Sequence, residues 1–283
     1  MGFVQGLYTW LGVNTPFDPQ ARYVTSYILS PTLLLAWRSL ISVYTLVTII
    51  LAYVFGGPEE FSFLTILSYW GIWGYFTISS IHTASYILSY KRWERATQND
   101  QTSSAKQAEA GQISADQSNQ IAKAQSWLSK SFPRPLQFFH ALLVSTISTY
   151  PLLVTIVFWT ILSGGAFYDT RSTWENLSVH AFNLMFTMSD IIIFSRNPML
   201  PWSHCFFTVL LLAMYVGVAY ITYAAQGFYP YDFLNQGEHG TGTVSGYIVA
   251  IGVGTVISFM IAQFIIFLRE YVWSKIQKSG GWG

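Results

Sequence analysis

The sequence of 283 residues has few charged side chains, since Asp, Glu, Lys and Arg together make up only 10% of it. An average soluble domain has roughly 25%, and a soluble surface of this size needs that charge. The net charge of +1 gives no bulk attraction to nucleic acid, and a hydrophobic content of 52% is too high for a disordered chain. The composition predicts an integral membrane protein whose main partner is the lipid bilayer, with no nucleic-acid partner.

Cysteine is almost absent as well, because Cys205 is the only one in the sequence. A single cysteine excludes an internal disulfide and a cysteine-cluster metal site. The sequence also lacks a glycine-rich phosphate loop and the HExxH and GxSxG motifs, and no group of His, Asp and Glu has the spacing of metal ligands. We therefore expect no metal and no cofactor.

In place of charged residues and known motifs, the sequence contains long apolar runs. They predict an all-α integral membrane protein, a bundle of six transmembrane helices, at about residues 34–55, 61–88, 136–163, 174–194, 204–225 and 244–267. This divides the chain into an N-terminal segment (1–33), a transmembrane domain (34–272) and a tail (273–283). Within the domain, residues 91–135 are predicted to be a mobile loop, a linker or weak helix rich in Gln, Ser and Ala.

The basic residues predict the orientation of this bundle. With a cytoplasmic N-terminus, 13 of the 14 Lys and Arg residues fall in or beside cytoplasmic segments, and only Arg171 lies on the other side. Positive charge stays on the cytoplasmic side of membrane proteins, so both termini are predicted to be cytoplasmic. Arg38, near the start of the first span, is expected to extend to the membrane interface. We expect the endoplasmic reticulum or the plasma membrane as the location.

Two predicted spans carry polar residues at steps of three and four, which keeps them on one helix face. Such a face cannot point at lipid, because unpaired polar groups in hydrocarbon cost several kcal/mol. A third, small-residue stripe in the last span predicts close helix packing. The stripes are Thr65, Ser68, Ile72, Tyr75, Ser79, His82 and Tyr86; Asn176, His180, Asn183, Thr187 and Asp190; and Gly246, Ala250, Gly254, Ser258 and Ala262.

Two of these polar residues are predicted to lie at a similar depth in the membrane. Thr65 and His180 both lie a few residues inside the outer ends of their spans, roughly 6–9 Å deep at about 1.5 Å per residue. A hydroxyl and an imidazole at one depth, on two inward faces, are the minimum for a nucleophile and its base. Asp190 lies near the inner end of its span, where we expect it at the cytoplasmic interface.

Four short elements resemble the androgen-induced protein family of six-span membrane proteins. The first two are Phe61-Ser-Phe-Leu-Thr65-Ile-Leu and the stretch from His180 to Asp190, in which the family has His followed ten residues later by an acidic residue, usually Glu. The others are Gly227-Phe-Tyr-Pro230 and a turn from Asn197-Pro198 to Pro201-Trp-Ser203. The resemblance covers roughly residues 35–270; Asp190 in place of Glu and the long 91–135 segment depart from it.

The resemblance implies a threonine-dependent hydrolase of fatty acid esters of hydroxy fatty acids, with Thr65 and His180 as its catalytic residues. Asn183, Tyr229 and Ser68 are candidates for binding the substrate or its oxyanion, although an ordinary interhelical hydrogen bond is the simpler role for Asn183.

Two alternatives stay open from the residues alone. A non-enzymatic binder or transporter of lipids or small solutes would have a passage through to the inner side, lined by His82 and Asp190. A structural membrane protein would have no pocket. The enzyme predicts a blind outer pocket in which Thr65 and His180 are within hydrogen-bond reach.

Overall fold

The computed structural model of the protein describes residues 2–14, 16–109 and 126–279. These residues form helices and turns and contain no strand. Pro31 begins the first long helix, because its fixed φ suits a first helical position and Ser30 caps the end by accepting the Leu33 N–H. The helices are α1 (Phe3–Trp10), α2 (Pro31–Gly56), α3 (Leu64–Glu109), α4 (Trp127–Lys130), α5 (Arg134–Leu162), α6 (Thr170–Phe194), α7 (Ser203–Gln226) and α8 (Gln236–Lys278).

Five helices, α2, α5, α6, α7 and α8, are long and apolar enough to cross a membrane. They contain five of the six predicted spans, so the chain is an all-α protein with the helices of a multi-pass membrane protein. The other predicted span, residues 61–88, lies in α3, which is not among them. Its polar face lowers its hydropathy, yet α3 packs along α2 and contributes Tyr69, Tyr75 and Phe76 to the centre of the bundle.

The segment predicted to be a loop at 91–135 begins and ends in helix where it is described. The helix α3 continues to Glu109, and α4 is attached to the bundle through a buried Leu128. The Trp127 N–H donates to Ser85 Oγ at 3.1 Å, and Gln137 Nε2 donates to the Leu128 carbonyl at 3.0 Å. The predicted mobility of residues 110–125 lies outside the described residues.

The polar stripes face inward, as predicted. Thr65, Tyr75, Ser79 and His82 are buried on α3, and His180, Asn183, Thr187 and Asp190 are buried on α6. The small-residue stripe of α8 is covered only in its second half, where Ser258 and Ala262 are buried, while Gly246 and Ala250 are exposed. At Gly254, an added Cβ would lie 3.2 Å from Leu153, so α5 and α8 approach closely there.

Arg38 and Asp190 form a buried ion pair, and both predicted positions at the membrane interface are wrong. Both side chains are fully buried, with 3.2 Å between Arg38 Nε and Asp190 Oδ1 and 3.2 Å between Arg38 Nη2 and Asp190 Oδ2. Tyr75 donates to Asp190 Oδ2 at 2.5 Å, while Arg38 Nη1 donates to Thr83 and to the Tyr23 carbonyl. Neither side chain extends to an interface, because each is the partner that neutralises the other in a dry interior.

The N-terminal segment lies across the Arg38 end of the bundle. Ser203 Oγ donates to the Trp10 carbonyl, and His204 Nε2 donates to the Leu11 carbonyl at 3.1 Å. Arg134 Nη1 donates to the Val13 carbonyl at 2.6 Å. Val13, Phe17, Tyr23 and Val24 are buried beneath the segment. The opposite end of the bundle, where α3 begins, contains the candidate site.

Candidate functional site

A cavity of about 180 Å³, here called the site cavity, lies where α3 begins, between α5, α7 and α8. Four of its lining side chains carry polar groups: Thr65, His180, Tyr215 and Tyr231. The other lining residues are apolar: Leu64, Leu153, Val154, Val157, Leu162, Val209, Leu212, Ala213, Val216, Phe233, Leu234, Ile248, Ile251 and Gly252. The cavity therefore suits a hydrocarbon chain and exposes it to few polar groups.

Thr65 is positioned by the first turn of α3. Backbone N–H groups at a helix start have no helical acceptor, and they give that end a partial positive charge. The Thr65 N–H instead donates to the Tyr231 hydroxyl at 3.4 Å, and Thr65 Oγ1 lies at 3.4 Å from the same oxygen. A threonine hydroxyl placed here lies beside donors that favour a negatively charged oxygen.

His180 is positioned by a widened turn of α6, the π-helical segment Ser178–Phe182. Its ring stacks on Phe158, with centroids 3.6 Å apart and an angle of 5° between the ring planes. Phe158 begins a second π-helical segment, Phe158–Leu162, and Trp159 Nε1 donates to the His180 carbonyl at 3.3 Å. His180 Nδ1 is buried without a hydrogen-bond partner. Such π-helical turns are frequent at functional sites. A buried imidazole nitrogen without a hydrogen-bond partner costs free energy, and a catalytic role is one explanation for its presence.

The structure brings Thr65 and His180 to one cavity but not into direct contact. Both side chains line the site cavity. Across the described parts of the chain, no hydrogen bond joins the two side chains; Thr65 Oγ1 is paired with Tyr231 instead. Catalytic hydrogen bonds in unliganded sites are often long and tighten only around substrate. The two side chains therefore share a cavity, and the expected hydrogen bond between them is not formed.

Tyr229 does not line the site cavity, and its proposed role at the substrate stays a prediction. Its ring is stacked on Tyr223, with centroids 4.0 Å apart. Tyr231, two residues later, reaches the cavity and Thr65 instead. The sequence offers two tyrosines on either side of Pro230 and no periodic pattern that separates them, so the sequence analysis missed Tyr231.

Asn183 and Ser68 both lie outside the site cavity. Asn183 Oδ1 accepts hydrogen bonds from Thr155 Oγ1 at 3.3 Å and from the Leu184 N–H at 2.6 Å. This interhelical bond is the simpler role considered for Asn183. Ser68 Oγ donates to the Thr65 carbonyl at 2.8 Å and lines a second cavity of about 270 Å³ between α3, α5 and α7. The two cavities share Leu64 and Tyr215 as a wall.

The side chains expected to line a transporter's passage are not at either cavity. Asp190 is held in its ion pair with Arg38. The His82 ring packs edge-on against Phe132 and His140, with centroids 5.0 and 5.3 Å away. Neither His82 nor Asp190 lines these two cavities.

Three possible metal donors meet at the start of α8, where no metal site was predicted from the sequence. The donor atoms of Asp232, Glu238 and His239 lie within 4.8 Å of one another. His239 Nε2 is already paired with Asp232 Oδ2 at 2.9 Å, and both carboxylates are exposed to solvent. This hydrogen bond ties the 227–235 loop to α8.

Comparisons of the chain with protein-family models, with curated proteins and with solved structures give no match. The resemblance to the androgen-induced protein family stays a prediction from the four sequence elements.

Proposed function

We propose that the protein is an intramembrane lipid-ester hydrolase in which Thr65 is the nucleophile and His180 is the general base. The observation that carries the proposal is the site cavity, where a hydroxyl at a helix start and a buried imidazole line one apolar space. The substrates would be fatty acid esters, including those of hydroxy fatty acids that the sequence resemblance implies. The apolar lining supports long hydrocarbon chains as part of the substrate.

The reaction would take place in two steps. Thr65 Oγ attacks the ester carbonyl carbon while His180 takes the hydroxyl proton, which produces a tetrahedral oxyanion. The bond from that carbon to the alkoxy oxygen then breaks, and His180 returns the proton to the departing alcohol. In the second step, water attacks the acyl-threonine with His180 again as base, and the fatty acid and free Thr65 are released.

We also propose six membrane spans with both termini on the cytoplasmic side, with α3 as the second span. The buried polar face of α3 supports this assignment, because a helix covered by neighbours need not be apolar all round. The basic residues support the orientation, since 13 of 14 then lie on the cytoplasmic side.

Purified protein in detergent would test the hydrolase with long-chain ester substrates and a fluorophosphonate probe. In the Thr65→Ala variant we expect hydrolysis to fall by roughly 10⁴-fold or more, together with loss of probe labelling. His180→Gln should lose hydrolysis as well. Thr45→Ala is the matched control, because Thr45 is a buried threonine whose hydroxyl bonds only the backbone of its own helix. Unchanged hydrolysis by Thr65→Ala would disprove the proposal.

The same experiment separates the enzyme from a non-enzymatic lipid binder, which the apolar cavity would also suit. A binder would retain the ester intact, with equal affinity in the wild type and in Thr65→Ala. The enzyme releases free fatty acid, which mass spectrometry measures directly.

A further inference from the structure

Tyr231 contacts the Thr65 hydroxyl in the site cavity. Its hydroxyl lies 3.4 Å from both Thr65 Oγ1 and Thr65 N. These separations are long for hydrogen bonds, which are commonly 2.7–3.0 Å, so the groups are held loosely enough to exchange partners. A carbonyl oxygen entering between them would meet two donors that are already in place.

The ring of Tyr231 is fixed on several sides. It stacks on Phe233 with centroids 5.3 Å apart and 4° between the planes, and it meets Phe63 edge-on at 5.8 Å. Phe233 and Leu234 are buried and anchor the loop, and the hydrogen bond between His239 and Asp232 ties it to α8. A donor held by packing loses little orientational freedom when it acts, which is what stabilisation of a developing charge requires.

We propose that Tyr231 is a catalytic residue that donates its hydroxyl proton in a hydrogen bond to the oxyanion, together with the Thr65 N–H. The inference rests on the proposed hydrolase function. No bond to Tyr231 forms or breaks in this role: the phenol keeps its proton, and the negative charge stays on the former carbonyl oxygen until the carbonyl reforms.

The other polar side chains of the site cavity are already occupied. Tyr215 donates its hydroxyl to the Ser62 carbonyl at 2.9 Å, and His180 is needed as the base. Tyr231 also lies in a loop, where burial raises the pKa of its phenol above the ordinary value. The hydroxyl therefore stays protonated at neutral pH and available as a donor. The start of α3 adds its partial positive charge at the same point.

The test compares Tyr231→Phe with wild type, because phenylalanine keeps the ring packing and removes only the hydroxyl. We expect kcat to fall by about 10²–10³-fold with little change in KM, as for loss of one oxyanion donor. A long-chain trifluoromethyl ketone, which forms a tetrahedral adduct with the nucleophile, should bind more weakly by a similar factor. Tyr223→Phe is the matched control and should behave as wild type, because Tyr223 is an exposed tyrosine of α7 outside the site cavity.

The outcomes separate this inference from the function on which it rests. Active wild type, inactive Thr65→Ala and fully active Tyr231→Phe would overturn the role of Tyr231 alone. A fall in kcat without weaker binding of the ketone would also overturn it, since a merely structural defect would give that result. Wild-type protein that hydrolyses no ester would overturn both. Melting temperatures of all variants would show that the proteins compared are folded.

Discussion

At the scale of single residues, the fully buried ion pair of Arg38 and Asp190 is costly to disturb. Removing one partner leaves the other charge buried, so we expect Asp190→Asn and Arg38→Met each to destabilise the fold by about 3–5 kcal/mol. The double variant Arg38→Met/Asp190→Asn, which combines the same two substitutions, should lose clearly less than the sum of the two single losses. Unfolding in mixed micelles, analysed as a double-mutant cycle, measures this coupling.

Thr48→Ala is the control for this cycle. Thr48 is a buried residue of α2 whose hydroxyl bonds the Tyr44 carbonyl of the same helix. Strictly additive losses for Arg38 and Asp190 would show that the pair contributes no interaction energy and that the prediction is wrong.

Glu60, in the turn between α2 and α3, predicts a pH dependence of stability. Burial, with the nearby carboxylates of Glu175 and Glu59, raises the pKa of Glu60 from 4.5 to about 7. The folded state thus binds the proton more tightly than the unfolded state. The resulting stability is complete below about pH 4.5 and is lost as the pH rises through about 7.

The variant Glu60→Gln should therefore show a flatter curve of melting temperature against pH than wild type, with the largest gain above about pH 7. Glu238→Gln, which removes an exposed carboxylate, is the control and should leave the curve unchanged. An unaltered curve for Glu60→Gln would contradict the assignment.

The inward or outward orientation of a residue could be predicted where a periodic pattern determines it. Contacts between residues that are distant in the sequence could not be predicted in this way. The steps of three and four placed Thr65 and His180 on inward faces, as found. Nothing local marks Arg38 as the partner of Asp190, because 152 residues separate them. The local sequence is the same whether an arginine side chain extends to the membrane interface or is buried in the bundle. Only the partner that the fold places beside it distinguishes the two cases.

At the scale of elements, Gly240 forms a kink in α8, one turn after its start. Its φ of 75° and ψ of 151° interrupt the helix, in a region that residues with a side chain rarely adopt. We expect Gly240→Ala to destabilise the fold by about 1–3 kcal/mol. Gly246→Ala, where an added Cβ meets no atom within 4 Å, should stabilise the helix by up to about 1 kcal/mol. Thermal unfolding measures the melting temperatures of the two variants, and equal shifts from the wild-type value would disprove the prediction.

The existence of the helices was easier to predict than their end residues and their π-helical turns. The run predicted at 204–225 is α7, Ser203–Gln226, because an apolar run of that length has few alternatives in a membrane protein. The run predicted at 244–267 is the centre of the much longer α8. The π-helical turn that contains His180 has no signature in the sequence, since a widened turn depends on packing against Phe158.

At the scale of the whole molecule, the proposed topology is open to a labelling test. After Cys205→Ser, single cysteines would be introduced at Glu59, Arg92 and Lys278 and treated with a membrane-impermeant maleimide in intact cells. For protein in the plasma membrane we expect labelling at position 59 only, with 92 and 278 labelled after permeabilisation. For protein in the endoplasmic reticulum, opening the plasma membrane alone should label 92 and 278 and leave 59 unlabelled. Positions 59 and 92 labelled from the same side would show that α3 does not cross the membrane.

The N-terminal segment has a consequence for how the molecule is assembled. Its bonds from Ser203 to Trp10 and from His204 to Leu11 each join residues 193 positions apart. Residues synthesised early therefore wait until α7 has been made, and their docking belongs to the last steps of folding. Protection of this segment from protease during synthesis would mark the moment at which the bundle closes.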